Sequence, residues 1–181
     1  YLPLKKKSAT KRVFFYARPV TPRRDFEIGL FALKLLCEKM PEVEVVFAGW
    51  DISTFEIPFK YRDMGIMSVD KLSKVYSQCD LCLIISNTNL SLLPLEVMAS
   101  NSVAVCSKGS NSTWLVNEEN AVLVEYEPRN IADTMEYYLT HPDELAEIRS
   151  KGLAFAQSTS WEKEAEKVRD ALLEGIKEDD K

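Results

Sequence analysis

The chain has 181 residues, 46% of them hydrophobic, so it can bury one substantial core and is expected to form a single compact domain. Its 23 Lys and Arg against 28 Asp and Glu leave a net charge of -5, which argues against nucleic acid as a bulk electrostatic partner and confines any anion site to a local cluster. No apolar run approaches the ~18 to 20 residues that cross a bilayer, and no basic stretch followed by an apolar one marks a secretory signal, so a cytoplasmic setting is expected.

The polar, basic opening makes residues 1–10 an expected linker from a region upstream; the folded domain is expected over 11–178 and a charged tail over 179–181. Short runs rich in β-branched and aromatic residues then recur: RVFFYA (12–17), VEVVFAG (43–49), LCLIIS (81–86), SVAVCS (102–107) and AVLVEY (121–126), with a weaker strand near 60–64. Such continuous apolar strands suit a parallel sheet covered on both faces. Helical periodicity fills 25–40, 68–79, 91–100 and 111–118, and the end reads as helix over 129–142, 143–157 and 160–178. Ser68, Ser91 and Ser160 are the expected N-caps, and Pro142 with Asp143 and Glu144 opens a further first turn. This alternation predicts an α/β fold: an open, doubly wound parallel sheet, Rossmann-like, of about six strands flanked by helices and followed by C-terminal helices.

The four cysteines, Cys37, Cys79, Cys82 and Cys106, fall inside predicted elements and form no disulfide framework. Cys79 and Cys82 make a C-x-x-C without a second pair, and the single histidine, His141, is distant, so buried thiols are expected rather than a metal or redox pair. His141 itself, ahead of Pro142, reads as a helix-end residue.

Ligands of an open parallel sheet bind at the carboxyl ends of its strands, where strand order reverses. After the first strand, ARPVTPRRDFE places Arg18, Arg23 and Arg24 within seven residues, stiffened by two prolines and just ahead of a helix. Guanidinium groups beside a helix N-terminus suit a phosphate or diphosphate, each charge-assisted bond being worth roughly 1.5–3 kcal/mol. The competing reading is that these arginines are solvated or pair with Asp25 and Glu27. No glycine-rich dinucleotide fingerprint, phosphate-binding P-loop or G-x-S-x-G elbow occurs.

After the strand over 81–86, Ser86, Asn87, Thr88 and Asn89 form a polar loop leading to Ser91 and a helix carrying Glu96. Glu96 is the one charged residue between Asp80 and Lys108, and with leucines and Val97 around it the helix looks apolar on every side and buried. A buried carboxylate needs hydrogen-bond donors, and the diol of a sugar supplies two.

Taken together, these residues resemble the C-terminal, nucleotide-sugar-binding domain of retaining GT-B glycosyltransferases of the family 4 type, over Lys11 to about Ile176. The matching features are Arg18 and Arg23 after the first strand, KVYSQCDLCLIIS before the central loop, Thr88 separated by seven residues from EVMAS, the passage from Asn101 to Leu139, and TSWEKEAEKV at the start of the last helix. The resemblance implies that Arg18 and Arg23 hold the diphosphate and act as the catalytic groups, with Arg24 beside them. It also implies that Glu96 binds the ribose hydroxyls and that Ser86, Asn87, Thr88, Asn89 and Ser91 complete the donor site. The family has Glu where this chain has Thr88, which alters the contact to the donor sugar. YARPVTPRR is similar to bacterial rhamnosyltransferases that use dTDP-rhamnose.

The function implied is donor binding, of a dTDP- or UDP-sugar, within a transferase that adds a sugar to a growing bacterial glycan. The resemblance implies no cofactor and no metal, since the arginines serve the leaving diphosphate and no Asp-x-Asp triplet is present. A missing N-terminal domain would hold the glycan acceptor, so this half is expected to be inactive alone; peripheral association of the full-length protein would place it at the inner membrane face. A GT-B-like domain with a decayed site, serving as an interaction or regulatory module, is the alternative, and Thr88 is its support. A nucleotide-sugar epimerase of related fold fits less well, because few carboxylates or histidines line the expected cleft.

Overall fold

The computed structural model describes residues 3–179, with side chains through 174; of the expected linker and tail, residues 1–2 and 180–181 lie outside the described residues. Its strands are β1 (Arg12–Tyr16), β2 (Glu44–Ala48), β3 (Tyr61–Asp63), β4 (Leu81–Ile84), β5 (Val103–Ser107) and β6 (Val122–Val124). All neighbours are parallel, in the order β3-β2-β1-β4-β5-β6. This is the doubly wound arrangement read from the alternation of apolar runs, and the weak strand near 60–64 is its edge.

Alternation of side chains across the pleat divides the interior into two cores. Val13, Phe15, Val45, Phe47, Leu81, Leu83 and Val105 face one side, where α1 (Phe26–Lys39) and α4 (Pro128–Thr140) cover them. Phe14, Val46, Cys82, Ile84, Ala104 and Cys106 face the other, covered by α2 (Val69–Tyr76), α3 (Leu93–Ala99) and the second half of α5 (Pro142–Ser158). The first half of α5 sends Leu145 and Ile148 into the first core, so this helix crosses the end of the sheet. The last helix, α6 (Trp161–Asp179), is exposed along all its described side chains.

Close approach of helix to sheet relies on two glycines. A Cβ on Gly29 would stand 2.2 Å from the Phe15 ring, and one on Gly152 would stand 2.8 Å from the Asn120 carbonyl oxygen. Polar groups inside the sheet are paired: Glu44, buried on β2, accepts from Arg12 on β1 and from Arg62 on β3. The lead-in runs beside the α2–β4 turn, where the Lys7 amide donates to Gln78 Oε1 at 3.0 Å and Lys6 pairs with Asp80.

Two expected features differ. The stretch 111–118 is a series of turns, not a helix. Ser112 Oγ donates to the carbonyls of Ser107 and Gly109, each at 2.9 Å, and such side-chain bonds compete with a helical ladder in a Ser/Thr/Asn-rich segment. Nor does Ser91 cap α3. Leu92 occupies the cap, while Ser91 adopts a left-handed φ of 57° and its hydroxyl oxygen accepts from Arg24.

Candidate functional site

Strand order reverses between β1 and β4: the chain leaves β1 toward β2 through α1 on one face and leaves β4 toward β5 through α3 on the other. Loops leaving the two strands diverge around a crevice at their carboxyl ends, the usual binding place in such sheets. Ala17 to Asp25 and Ile85 to Leu92 are those loops, so the topology brings the two polar segments singled out above to opposite sides of one opening.

The loops are bonded to each other. The Asn87 amide donates to the Arg23 carbonyl at 2.9 Å, and Asn87 Nδ2 donates to Asp25 Oδ1 at 2.9 Å. Arg24 Nη2 donates to Ser91 Oγ at 2.6 Å, and Arg23 Nη1 reaches the Asn89 carbonyl at 3.4 Å. A single 3-10 turn over Pro22–Arg24 aims the two adjacent arginines, and it ends at Asp25, whose φ of 45° is left-handed. Holding a non-glycine residue there costs on the order of 1 kcal/mol, which the cross-loop bonds offset. Arg18 lies apart from these braces, its guanidinium 5.8 Å from the Tyr16 ring centre and 5.9 Å from that of Trp50.

None of Arg18, Arg23 and Arg24 forms an ion pair with a carboxylate among the described residues. Of the competing reading, arginines solvated or paired with Asp25 and Glu27, the pairing is therefore not found, while Arg18 and Arg23 are half-buried and still reach solvent. Arg24 is 8% exposed, its Nη1 is buried without a hydrogen-bond partner among the described residues, and burial first, then repulsion from Arg23, lowers its pKa. Three arginines against the single carboxylate of Asp25 leave net positive potential at the mouth of the crevice.

Beside them is a cavity of about 240 Å³ at the ends of β4, β5 and β6. Ser86, Asn87 and Asn89 line it, together with Leu90, Tyr126 and the whole of the Ser107-Lys108-Gly109-Ser110-Asn111-Ser112 loop. That loop and Tyr126 were not picked out as site residues by sequence reasoning; the polar run SKGSNS directly after a buried strand was the available signal. Tyr126 Oη and Asp25 Oδ2 are both buried, and burial, then interaction with the adjacent Asp25 carboxylate, pushes the Tyr126 phenol up. Thr88 is exposed and does not line this cavity.

Glu96 is placed differently from the expectation of a wholly buried carboxylate. It is half-buried on the outer side of α3, whose Leu92 is exposed, and it opens into a second groove shared with Trp161. α3 turns Pro94, Val97 and Met98 into the core, which leaves Leu95, Glu96 and Ala99 on the flank that lines the groove. The Glu96 carboxylate has neither a hydrogen bond nor an ion pair among the described residues.

Of the remaining candidates, Cys79, Cys82 and Cys106 are buried in the second core, and burial pushes the Cys82 thiol up to about 12. His141 joins α4 to α5, with Nδ1 2.7 Å from the Tyr137 carbonyl and its ring stacked on Tyr137 at 4.0 Å.

The model of the family described as "WsaF, C-terminal domain" matches residues 11–136, more than half of the chain. The chain belongs to that family. Over 168 residues it is 32% identical to the O-antigen biosynthesis protein RfbC of Myxococcus xanthus, covering 90% of this chain and 13% of that protein. The chain thus spans a small part of that relative's length.

Three solved structures share the fold of this WsaF-type domain. The C-terminal domain of the glycosyl transferase group 1 protein LpcC from Francisella tularensis is 17% identical, with a TM-score of 0.68 and 87% of each chain covered. HepE of Anabaena, solved with UDP-glucose, is 18% identical, with a TM-score of 0.74 over 92% of this chain and 49% of that one. Sucrose-phosphate synthase of Thermosynechococcus elongatus is 16% identical, with a TM-score of 0.74 over 93% and 46%. The fold is that of the C-terminal half of a GT-B glycosyltransferase.

Proposed function

We propose that this chain is the donor-binding domain of a glycosyltransferase that builds a bacterial glycan, with Arg18 and Arg23 holding the diphosphate of a nucleotide-sugar. The observation that carries the reading is three guanidinium groups at the switch point with no ion pair to a carboxylate among the described residues, one of them buried. A diphosphate supplies the missing charge. The adjoining 240 Å³ cavity, rich in hydroxyl and amide groups with Lys108 at its wall, suits a sugar. UDP-glucose in HepE and the O-antigen role named for RfbC support the substrate class and the setting.

In transfer, the bond from the sugar's anomeric carbon to the diphosphate breaks, both electrons pass to the phosphate oxygen, and the acceptor hydroxyl bonds to that carbon as its proton passes to the departing diphosphate. Charge on the departing diphosphate grows along this path, so arginines already aimed at it favour the transition state over the ground state. Arg24, tied to Ser91, acts as a positioning residue that fixes the two loops. Rhamnose from dTDP-rhamnose is the donor favoured by the loop sequence around Arg18. An acceptor domain outside this chain would close the crevice, so the chain alone binds donor and transfers nothing.

Titration calorimetry of the chain with dTDP, UDP and GDP tests the reading: at least one binds, and absence of heat with all three at millimolar ligand contradicts it. The exposed Thr88, outside the cavity, favours a second reading as a non-transferring interaction module. Under that reading Arg18→Ala in the parent protein leaves its activity unchanged; under the transferase reading it does not.

A further inference from the structure

Arg23 and Arg24 are braced across the crevice, whereas the Arg18 guanidinium has neither a hydrogen bond nor an ion pair among the described residues. What stands around it is aromatic: the Tyr16 ring centre at 5.8 Å and that of Trp50 at 5.9 Å, both within cation–π range. The strands bring these groups together. Tyr16 lies opposite Ala48 in the β1–β2 register, and the pairing runs on past the strand ends, the Ala17 amide donating to the Ala48 carbonyl at 2.8 Å. Continued in that register, Arg18 and Trp50 leave the two strands side by side. Between Ala48 and Trp50 stands Gly49, whose φ of 113° few side chains adopt; a Cβ there would be 2.7 Å from the Tyr16 ring and 2.9 Å from the Ala17 carbonyl oxygen. Its amide is tied to the Gly65 carbonyl at 2.8 Å, and Tyr16 packs against the second core, so the half-buried Trp50 is carried on a fixed support.

We propose that Trp50, together with Tyr16, is a positioning residue for the donor diphosphate: the two rings hold Arg18 at the mouth of the crevice with its N–H groups turned to the anion. The assignment rests on the donor-binding reading above. A guanidinium held through its face keeps its in-plane donors for phosphate oxygens, which is how a cation can be fixed without being neutralised. A carboxylate in the same place would fix Arg18 but cancel the charge that the diphosphate needs. An arginine ordered beforehand also loses less rotamer freedom when the anion arrives. Trp50 therefore acts through Arg18 and touches neither the base nor the sugar.

The test is calorimetric, with inorganic pyrophosphate, UDP and dTDP as probes of the full chain and of Trp50→Ala, Trp50→Leu and Trp50→Phe, each checked for folding by its melting temperature. A cation on an incompletely buried ring is held strongly enough that Trp50→Ala and Trp50→Leu each weaken pyrophosphate and the bound nucleotides by the same factor, about two- to fivefold. Trp50→Phe keeps most of the affinity. Should Trp50→Ala fold poorly, the comparison of Leu with Phe, two apolar side chains of which only one has a ring, carries the test. Unchanged pyrophosphate affinity in the Leu variant overturns the assignment, because packing alone would then suffice. A loss confined to nucleotides overturns it by putting Trp50 on the nucleoside, and nucleotide binding without pyrophosphate binding overturns it by removing the diphosphate from Arg18. In each of these cases the donor-binding reading stands; if the unaltered chain binds none of the three probes, that reading falls as well.

Discussion

Arg24 is the residue at which fold and proposed function pull against each other. A guanidinium that is buried, flanked by two more cations and left with one unpartnered nitrogen is unfavourable in the empty crevice. Replacing it by an apolar side chain of similar length removes that penalty, so Arg24→Met is expected to leave stability to urea unchanged or raised while weakening nucleotide binding; a drop in stability of several kcal/mol would mean that the Ser91 tether matters more than the burial of charge. The sequence made the arginine cluster legible because it follows a strand free of charge after Arg12. It did not reveal that Arg24 is the inward member, since which of two adjacent residues turns inward depends on the 3-10 turn over Pro22–Arg24 and the left-handed Asp25. Glu96 was legible as an isolated carboxylate, but its exposure was not, because that follows from which face of α3 meets the core and from where the α5–α6 elbow passes.

Elements with long periodic patterns were readable nearly to their ends: α1, α4, α5 and α6 each lie within two residues of the limits expected from apolar spacing. Periodicity failed at 111–118, where Ser112 turns its hydroxyl onto backbone carbonyls and the segment becomes a wall of the cavity instead of a helix. The packing of α1 on β1 depends on a detail no pattern shows, the contact of Gly29 with Phe15. Gly29→Ala gains helix propensity of roughly 1 kcal/mol. It also drives a Cβ to 2.2 Å from the Phe15 ring, deep in a close-packed core. Overpacking of about 1–3 kcal/mol outweighs the gain, so the variant melts at a lower temperature by calorimetry; an unchanged or higher melting temperature would show that Phe15 relaxes freely.

Across the whole molecule, the sheet is held at one end by the triad of Arg12, Glu44 and Arg62, far from the crevice at its carboxyl ends. Burial raises the Glu44 pKa, but hydrogen bonds from Arg12 and Arg62 outweigh it, and the net shift is downward. A carboxyl held low in the folded state adds stability above its ordinary range, and that stability is lost as pH falls through the lowered value. Glu44→Gln should therefore lower the melting temperature at neutral pH and flatten its fall toward acid pH, whereas parallel curves for variant and parent would remove Glu44 from the account. With the β3-β2-β1-β4-β5-β6 order fixed at that end, the opposite end is left open for loops that carry an excess of positive charge. The most direct test of the donor-binding claim is to map dTDP or UDP onto the chain by amide chemical shifts in solution. The account predicts the largest changes over residues 17–25, 86–92 and 107–112 and at Glu96, with little change on the α1 and α4 face; no saturable shift in those loops, or shifts gathered on that outer face, would contradict it.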